Sequence, residues 1–394
     1  MTDFQKSVIL LIKSALNNTN ENIPENLIWK DVIETGNRHQ IIPLLYYGAV
    51  NSKIQIAQED KALLENAAFR YLFRDQNQQY QTDTVFKAFE KNEIDYMPLK
   101  GTVLKYYYPK TEMRPMSDAD ILIKPEQYDR IRTVMSGLGF EEKYESDHEL
   151  VWKKKDIILF ELHKRIIPSY NKDYYTYYGD GWRLAKKDDN FGHRYHMSAE
   201  DELIYNFTHM AKHYRDGGIG IRHIIDIYVC QAKTVNSDKI YIKNELKKLK
   251  LWDFYVNVDK TIKVWFENDT PNEKTDFITD YIFTSGSYGT KERKILSAAV
   301  KDSKSTKNTS QVRHKKLFSL IFMPYKSMCV KYHFLSKYPF LLPVMWVVRW
   351  ISAIFLKKDN VRQQIDNLNT ISSENIDDYQ QALNYVGLDF NFKE

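Results

Sequence analysis

Two aspartates, Asp118 and Asp120, stand one residue apart at the head of the apolar run Ile121-Leu122-Ile123. No other feature of the chain constrains its fold as much. The run has the composition of a buried strand. Side chains alternate across a sheet, so both carboxylates leave the same face. Carboxylates held that close repel each other, and one takes up a proton unless a cation stands nearby. A divalent cation removes the penalty. Magnesium prefers carboxylate oxygens and keeps positions open for phosphate oxygens. The expected strand thus offers rigid ground for a two-metal site.

The texture around this strand changes twice along the chain. Residues 1–92 read as helices: Asp3 to Leu16, Glu25 to a stop at Gly36, Ile41 to Tyr47, and a long periodic stretch from Asp60 to Asn92. Residues 93–197 read as a small α+β core. Its expected order is a strand at Ile94 to Leu99, a helix over Thr102 to Tyr108, the strand at Asp118 to Ile123, a helix over Tyr128 to Leu138, and strands at Glu149 to Trp152 and Ile157 to Leu162. That order gives a mixed sheet. Residues 198–394 read as a larger helical lobe, opened by the capping signal Ser198-Ala199-Glu200-Asp201. Lys301 to Lys316 is polar and lysine-rich and reads as an exposed linker.

Bulk properties narrow the function classes. With 394 residues the chain can bury a sizeable core, and 57 basic against 52 acidic residues leave a net charge of only +5. That balance disfavours nucleic acid as a partner. Two cysteines, Cys230 and Cys329, exclude a disulfide framework and argue against a cysteine zinc site. The N-terminus reads as a helix rather than a signal peptide, so the expected compartment is the cytoplasm. Tyr338 to Leu356 approaches the length of a membrane span, but it holds Pro343 and Arg349. A buried helix, or one lying on a membrane surface, fits it better than a span.

Further residues point toward the same site. Glu161 interrupts the apolar run Ile157 to Leu162, and a charge there needs a partner. Gly101 and Thr102 follow Lys100 at an expected strand-to-helix turn, where backbone N–H groups and the helix terminus favour an anion. Lys100 and Arg114 add positive charge and could clamp a triphosphate. Arg114 could equally anchor its own loop, and Ser117 either caps the strand entry or touches phosphate. His163 lies two residues past Glu161, as a supporting or packed group. His209 and His213, four apart on one helix face, suit a structural or substrate contact better than zinc. The glycine-rich Ser285 to Gly289 stretch lacks the ending of a phosphate loop and reads as a connector.

Leu99-Lys100-Gly101, Arg114-Pro115-Met116-Ser117-Asp118-Ala119-Asp120-Ile121-Leu122-Ile123 and Glu161-Leu162-His163 together resemble a bacterial family of uncharacterised nucleotidyltransferases. This family lies within the polymerase-beta-like nucleotidyltransferase superfamily. Ile42-Pro43-Leu44-Leu45-Tyr46, His209 to His213, Ile224-Ile225-Asp226 and Tyr338 to Arg349 extend the resemblance through most of the chain. It implies transfer of a nucleoside monophosphate from ATP or another NTP to an acceptor, with release of pyrophosphate. It also implies two magnesium ions, with manganese as the alternative. Asp118 and Asp120 would hold both ions, and Glu161 one of them beside the acceptor. Gly101 with Thr102 takes the place of the superfamily's usual Gly-Ser turn. The acceptor is open among a small molecule, a glycan precursor and a protein. The alternative reading is a non-catalytic nucleotide sensor or partner-binding protein, peripheral to the membrane in envelope or polysaccharide assembly.

Overall fold

A computed structural model describes residues 1–24, 26–154, 158–169, 171–303, 318, 321–356 and 372–388. Four helices come first: α1 (Asp3–Asn17), α2 (Trp29–His39), α3 (Ile42–Asn51) and α4 (Gln58–Lys91). A reciprocal capping box between Thr2 and Gln5 starts α1. Gly36 does not end α2. The helix runs on to His39 and closes at Gln40, which takes the left-handed conformation at φ 56°. Gly36 is needed for packing instead: a Cβ there would lie 2.6 Å from Ile42 Cδ1 and 2.8 Å from Leu45 Cδ1. α4 also departs from its apolar pattern. Leu63, Phe69 and Phe73 are exposed, whereas Asp75 and Gln78 are buried. Asp75 accepts from Lys105 Nζ at 2.5 Å and Thr111 Oγ1 at 2.6 Å, and Gln78 donates to the Met116 carbonyl at 3.2 Å. The buried polar turns of α4 therefore hold the loop that leads to Asp118.

The sheet follows. β1 (Tyr96–Pro98), β2 (Asp118–Ile123), β3 (Glu141–Glu145), β4 (Glu149–Lys154) and β5 (Ile158–His163) lie in the order β1-β2-β5-β4-β3. β2 and β5 are parallel and the other pairs antiparallel. Strand β3 has no counterpart in the sequence reading, because Glu-Glu-Lys-Tyr-Glu is exposed throughout and shows no apolar alternation. Between β1 and β2 the expected helix over Thr102 to Tyr108 is shorter. It is α-helical only as α5 (Gly101–Leu104) and continues as a 3-10 turn at Lys105–Tyr107. α6 (Tyr128–Gly137) joins β2 to β3.

One sheet face is the core of the domain. Ala119, Ile121 and Ile123 of β2, Leu150 and Trp152 of β4, and Ile158, Phe160 and Leu162 of β5 pack there with Val85 and Phe89 of α4 and Ile131 and Met135 of α6. The alternation that buries these residues sends Asp118, Asp120, Glu149, Glu161 and His163 to the opposite face.

Beyond the sheet come α7 (Lys172–Tyr178), a small hairpin of β6 (Lys186–Lys187) and β7 (Tyr195–His196), and α8 (Ala199–Asp216), with Ser198 and Asp201 forming the expected cap. Helices α9 (Ile221–Lys233), α10 (Lys239–Lys248), α11 (Trp252–Phe266) and α12 (Glu273–Ser285) follow. By compactness the chain forms two units: residues 1–212, 219–288 and 386–394, and residues 213–218 and 289–385. The second unit holds helices at Lys291–Ser303, Tyr325–Lys331, Leu342–Leu356 and Ser373–Tyr385. Most of the Lys301 to Lys316 stretch lies outside the described residues. Among the described residues no helix is long and apolar enough to cross a membrane. The Tyr338 to Leu356 segment is a 3-10 turn followed by a 15-residue helix that is not buried as a core element, with Phe340 75% and Val344 56% exposed.

Candidate active site

Register brings two of the three expected carboxylates together. Asp120 and Glu161 are direct Cα partners on the parallel strands β2 and β5, and Asp118 lies opposite Leu159. Asp120, Glu161 and His163 each offer a ligand atom within 4.8 Å of the others. Asp118, one pleat earlier on the same face, stands outside that cluster. The three carboxylates feel one another strongly. Burial, then the charges of Asp120 and Asp118, push the Glu161 carboxyl up to about 8. Burial and Asp120 also raise Asp118, against the pull of Lys100, Arg114 and Arg222. Burial would raise Asp120 too, but Lys100 and His163 overrule it and hold its carboxyl well below the usual range. A face that keeps one acid firmly ionised and another largely protonated at neutral pH is short of positive charge. That shortage and the carboxylate oxygens of Asp118, Asp120 and Glu161 fit a hard divalent cation.

Lys100 reaches this face from the turn after β1. Its Nζ donates to Asp120 Oδ1 at 2.6 Å, and the pairing holds the ammonium pKa above its ordinary value despite burial. The backbone of Lys100 is strained, at φ 46° and ψ −124°, a conformation that favours glycine. Leu99 N–H bonds to the Asp120 carbonyl at 3.0 Å and ties the turn to β2. Gly101 is required by a close approach: a Cβ would lie 2.4 Å from Arg114 Nη1. The Thr102 hydroxyl is buried without a hydrogen-bond partner.

Arg114 takes the loop-anchoring arrangement. Its Nε and Nη2 donate to Asp226 Oδ1 and Oδ2 at 3.1 and 2.9 Å, and Tyr108 Oη donates to the same Oδ1 at 2.8 Å. This buried pair fixes the approach to β2 against α9. Arg222, one turn earlier on α9, bonds Gln40 and the Pro115 carbonyl. Ser117 Oγ lies 2.9 Å from Tyr288 Oη, so the expected connector at Ser285 to Gly289 reaches the site's edge. His209 is half-buried and His213 exposed, and neither belongs to the donor clusters around Asp120.

Two residues at this face escaped the sequence reading. Glu149 is the direct partner of His163 across the β4–β5 pair, and the ring of His148 lies 4.8 Å from that of His163. Pairing the two expected strands as a hairpin and counting back from His163 would have found Glu149. Burial, then His163 and Lys100, lower His148 to about 3. A cavity of about 410 Å³ opens beside Lys100, lined by Tyr107, Asp188, Asn190, Glu202 and Asn206 among others.

The small mixed sheet carries Asp-x-Asp on one strand and a glutamate on its parallel neighbour. The chain belongs to the family described as "Uncharacterised nucleotidyltransferase", whose model matches residues 25–267. Among curated proteins none matches the sequence. The antibiotic-resistance factor ANT(2'')-Ia, in a solution structure, aligns at 11% identity over 44% of this chain and 92% of its own, with a TM-score of 0.34. A likeness at that level carries no argument here.

Proposed function

We propose that this enzyme transfers a nucleoside monophosphate from an NTP to an acceptor hydroxyl in a magnesium-dependent reaction. The facing of Asp120 and Glu161 across β2 and β5 carries the proposal. The acceptor oxygen bonds to the α-phosphorus, the bond from that phosphorus to the β-phosphate bridging oxygen breaks, and pyrophosphate leaves. Asp118, Asp120 and Glu161 are the residues that would hold magnesium or, alternatively, manganese. The bound ions supply positive charge to the transferring phosphoryl group. Glu161, kept ionised by the bound cation, is the candidate to accept the acceptor's proton. Lys100 is the cation closest to the carboxylates and the candidate phosphate contact of the turn it shares with Gly101 and Thr102. Arg114, held by Asp226, positions Asp118 instead of binding phosphate.

The catalytic unit in this reading is the core at 93–197, with helices before and after it. The cavity beside Lys100, at about 410 Å³, has the size of a small-molecule site, and the acceptor stays open among a small molecule, a glycan precursor and a protein. The working compartment is the cytoplasm. A second reading adds contact with a membrane surface, and it rests on the exposed apolar side chains from Phe340 to Ile351. Sedimentation of the full chain with anionic vesicles should fall in Phe340→Ser. Equal sedimentation of the two proteins removes that reading.

The reaction is tested by pyrophosphate release from each of the four NTPs with magnesium and a cell extract as a pool of acceptors. Wild type should release pyrophosphate, and Asp118→Ala and Asp120→Ala should not while keeping the fold. Binding of NTPs without release, or normal release by both variants, overturns the proposal.

A further inference from the structure

His148, Glu149 and His163 form a second donor cluster, which shares His163 with the first. Each offers one ligand atom, all within 4.8 Å of one another. Glu149 and His163 face each other on paired strands, so their backbones are fixed. His163 Nε2 lies 2.6 Å from Asp120 Oδ1, and its side chain is only 2% exposed. An ionised carboxylate can only accept, so His163 Nε2 donates in this contact. His163 Nδ1 has no hydrogen-bond partner among the described residues. It lies 3.6 Å from Glu149 Oε2, too far for a hydrogen bond, and His148 Nε2 lies 4.0 Å from the same oxygen. Glu149 Oε1 is taken by Tyr144 Oη at 2.9 Å, which leaves Oε2 turned toward both imidazoles. Two ring nitrogens and one carboxylate oxygen therefore converge on one point beside the paired strands.

We propose that His148, Glu149 and His163 bind a first-row transition-metal ion of the zinc class, at a site separate from Asp118, Asp120 and Glu161. Two imidazole nitrogens and one carboxylate oxygen with a position left open suit zinc, and magnesium disfavours such a set. Tetrahedral bonds of ~2.0–2.1 Å place donors ~3.3 Å apart. The 3.6 and 4.0 Å separations from Glu149 Oε2 would close by about 0.3 and about 0.7 Å through side-chain adjustment. A metal-bound histidine characteristically donates its other N–H to a carboxylate, and His163 already meets Asp120 in that way. The bound ion would therefore orient Asp120 through His163, making His163 a positioning residue.

The test is a titration of the metal-stripped full chain with cobalt, followed by its visible absorption, and with zinc against a chromophoric chelator. Saturating magnesium is present throughout to occupy the carboxylates. Wild type should bind one equivalent. His148→Ala and Glu149→Gln should each weaken binding at least about tenfold, while Asp118→Asn leaves it within about twofold. Folding of each variant is checked by circular dichroism. His148 is half-buried at a strand end, so that variant keeps the test open if Glu149→Gln does not fold. Absence of bound cobalt and zinc overturns the proposal. So does binding lost in Asp118→Asn and kept in His148→Ala, which places the ion at the carboxylates. Neither readout depends on nucleotidyl transfer, so failure here and failure of the proposed reaction are separable.

Discussion

Replacing Asp226 with alanine leaves Arg114 buried without its counter-charge. Arg114 is 9% exposed and Asp226 6%, so solvent cannot take over from either partner. Breaking such a pair from one side costs about 3–5 kcal/mol, because the remaining charge stays desolvated. In Asp226→Ala the Tyr108 hydroxyl also loses its acceptor, so the upper part of that range is expected. Arg114→Met should cost about 3 kcal/mol, since Asp226 keeps Tyr108 and lies near Arg222. The double variant Arg114→Met/Asp226→Leu removes both charges and replaces them with apolar volume. It should be less damaged than the two singles sum to, with a coupling of about 2–3 kcal/mol. Against a whole stability of about 5–15 kcal/mol each single is readily measured. The chain has two compact units, so a single bulk transition is a poor probe. Hydrogen exchange of the segment from Leu99 to Ile123, measured across a urea series, reads the loop itself. Single costs below about 1 kcal/mol, or costs that add within about 0.5 kcal/mol in the double, would refute the anchoring argument.

Two further outcomes follow from the same face of the molecule. Gly101→Ala places a methyl group 2.4 Å from Arg114 Nη1 and 3.0 Å from Met116 Cγ and Sδ. Asp226 pins Arg114, so relief is blocked and a loss of about 1–3 kcal/mol is expected; unchanged hydrogen exchange of the Leu99 to Ile123 segment across the same urea series would contradict it. Burial pushes the Glu202 carboxyl up to about 7, against its bond from Tyr107 and the charge of Lys233. Between its ordinary pKa of about 4.5 and about 7 the native state holds a proton that the unfolded chain has lost, so stability falls as pH rises through that window. Glu202→Gln should flatten the fall, on the order of 3 kcal/mol, when unfolding is compared at about pH 5 and pH 8. An identical pH slope in both proteins would count against this account.

The legible part of the site was the part written with period two. Asp118 and Asp120 flank Ala119, Glu161 flanks Phe160 and Leu162, and the apolar partners of each strand name the core face. Once one face is buried, register admits no slip, and Glu161 falls opposite Asp120. What stayed hidden depends on partners distant in sequence. Strand β3 is held by its ladder to β4, and Arg132 pairs with Glu142 and Glu145, contacts that no pattern within Glu141–Glu145 announces. Gly36 reads as a helix stop until the neighbouring α3 is seen to need its missing side chain. Asp75 and Gln78 look like the solvent side of α4, and only the loop they hold reverses that. His148 was hidden because it precedes its strand, where alternation does not yet apply.

Asp120 shows how that long-range packing shapes the chemistry. Its Oδ1 is held at 2.6 Å by Lys100 Nζ and at 2.6 Å by His163 Nε2. The first comes from a strained turn after β1, the second from the end of β5, so two elements converge on one oxygen. With Oδ1 fixed, the carboxylate cannot rotate, and Oδ2, which has no donor among the described residues, keeps a single direction. A cation arriving there meets an oxygen that needs no reorganisation, which is where an electrostatic site gains its strength. The strain at Lys100 is then intelligible as well. The residue that carries this strain, at a cost of about 1–3 kcal/mol, is the one whose ammonium holds Asp120.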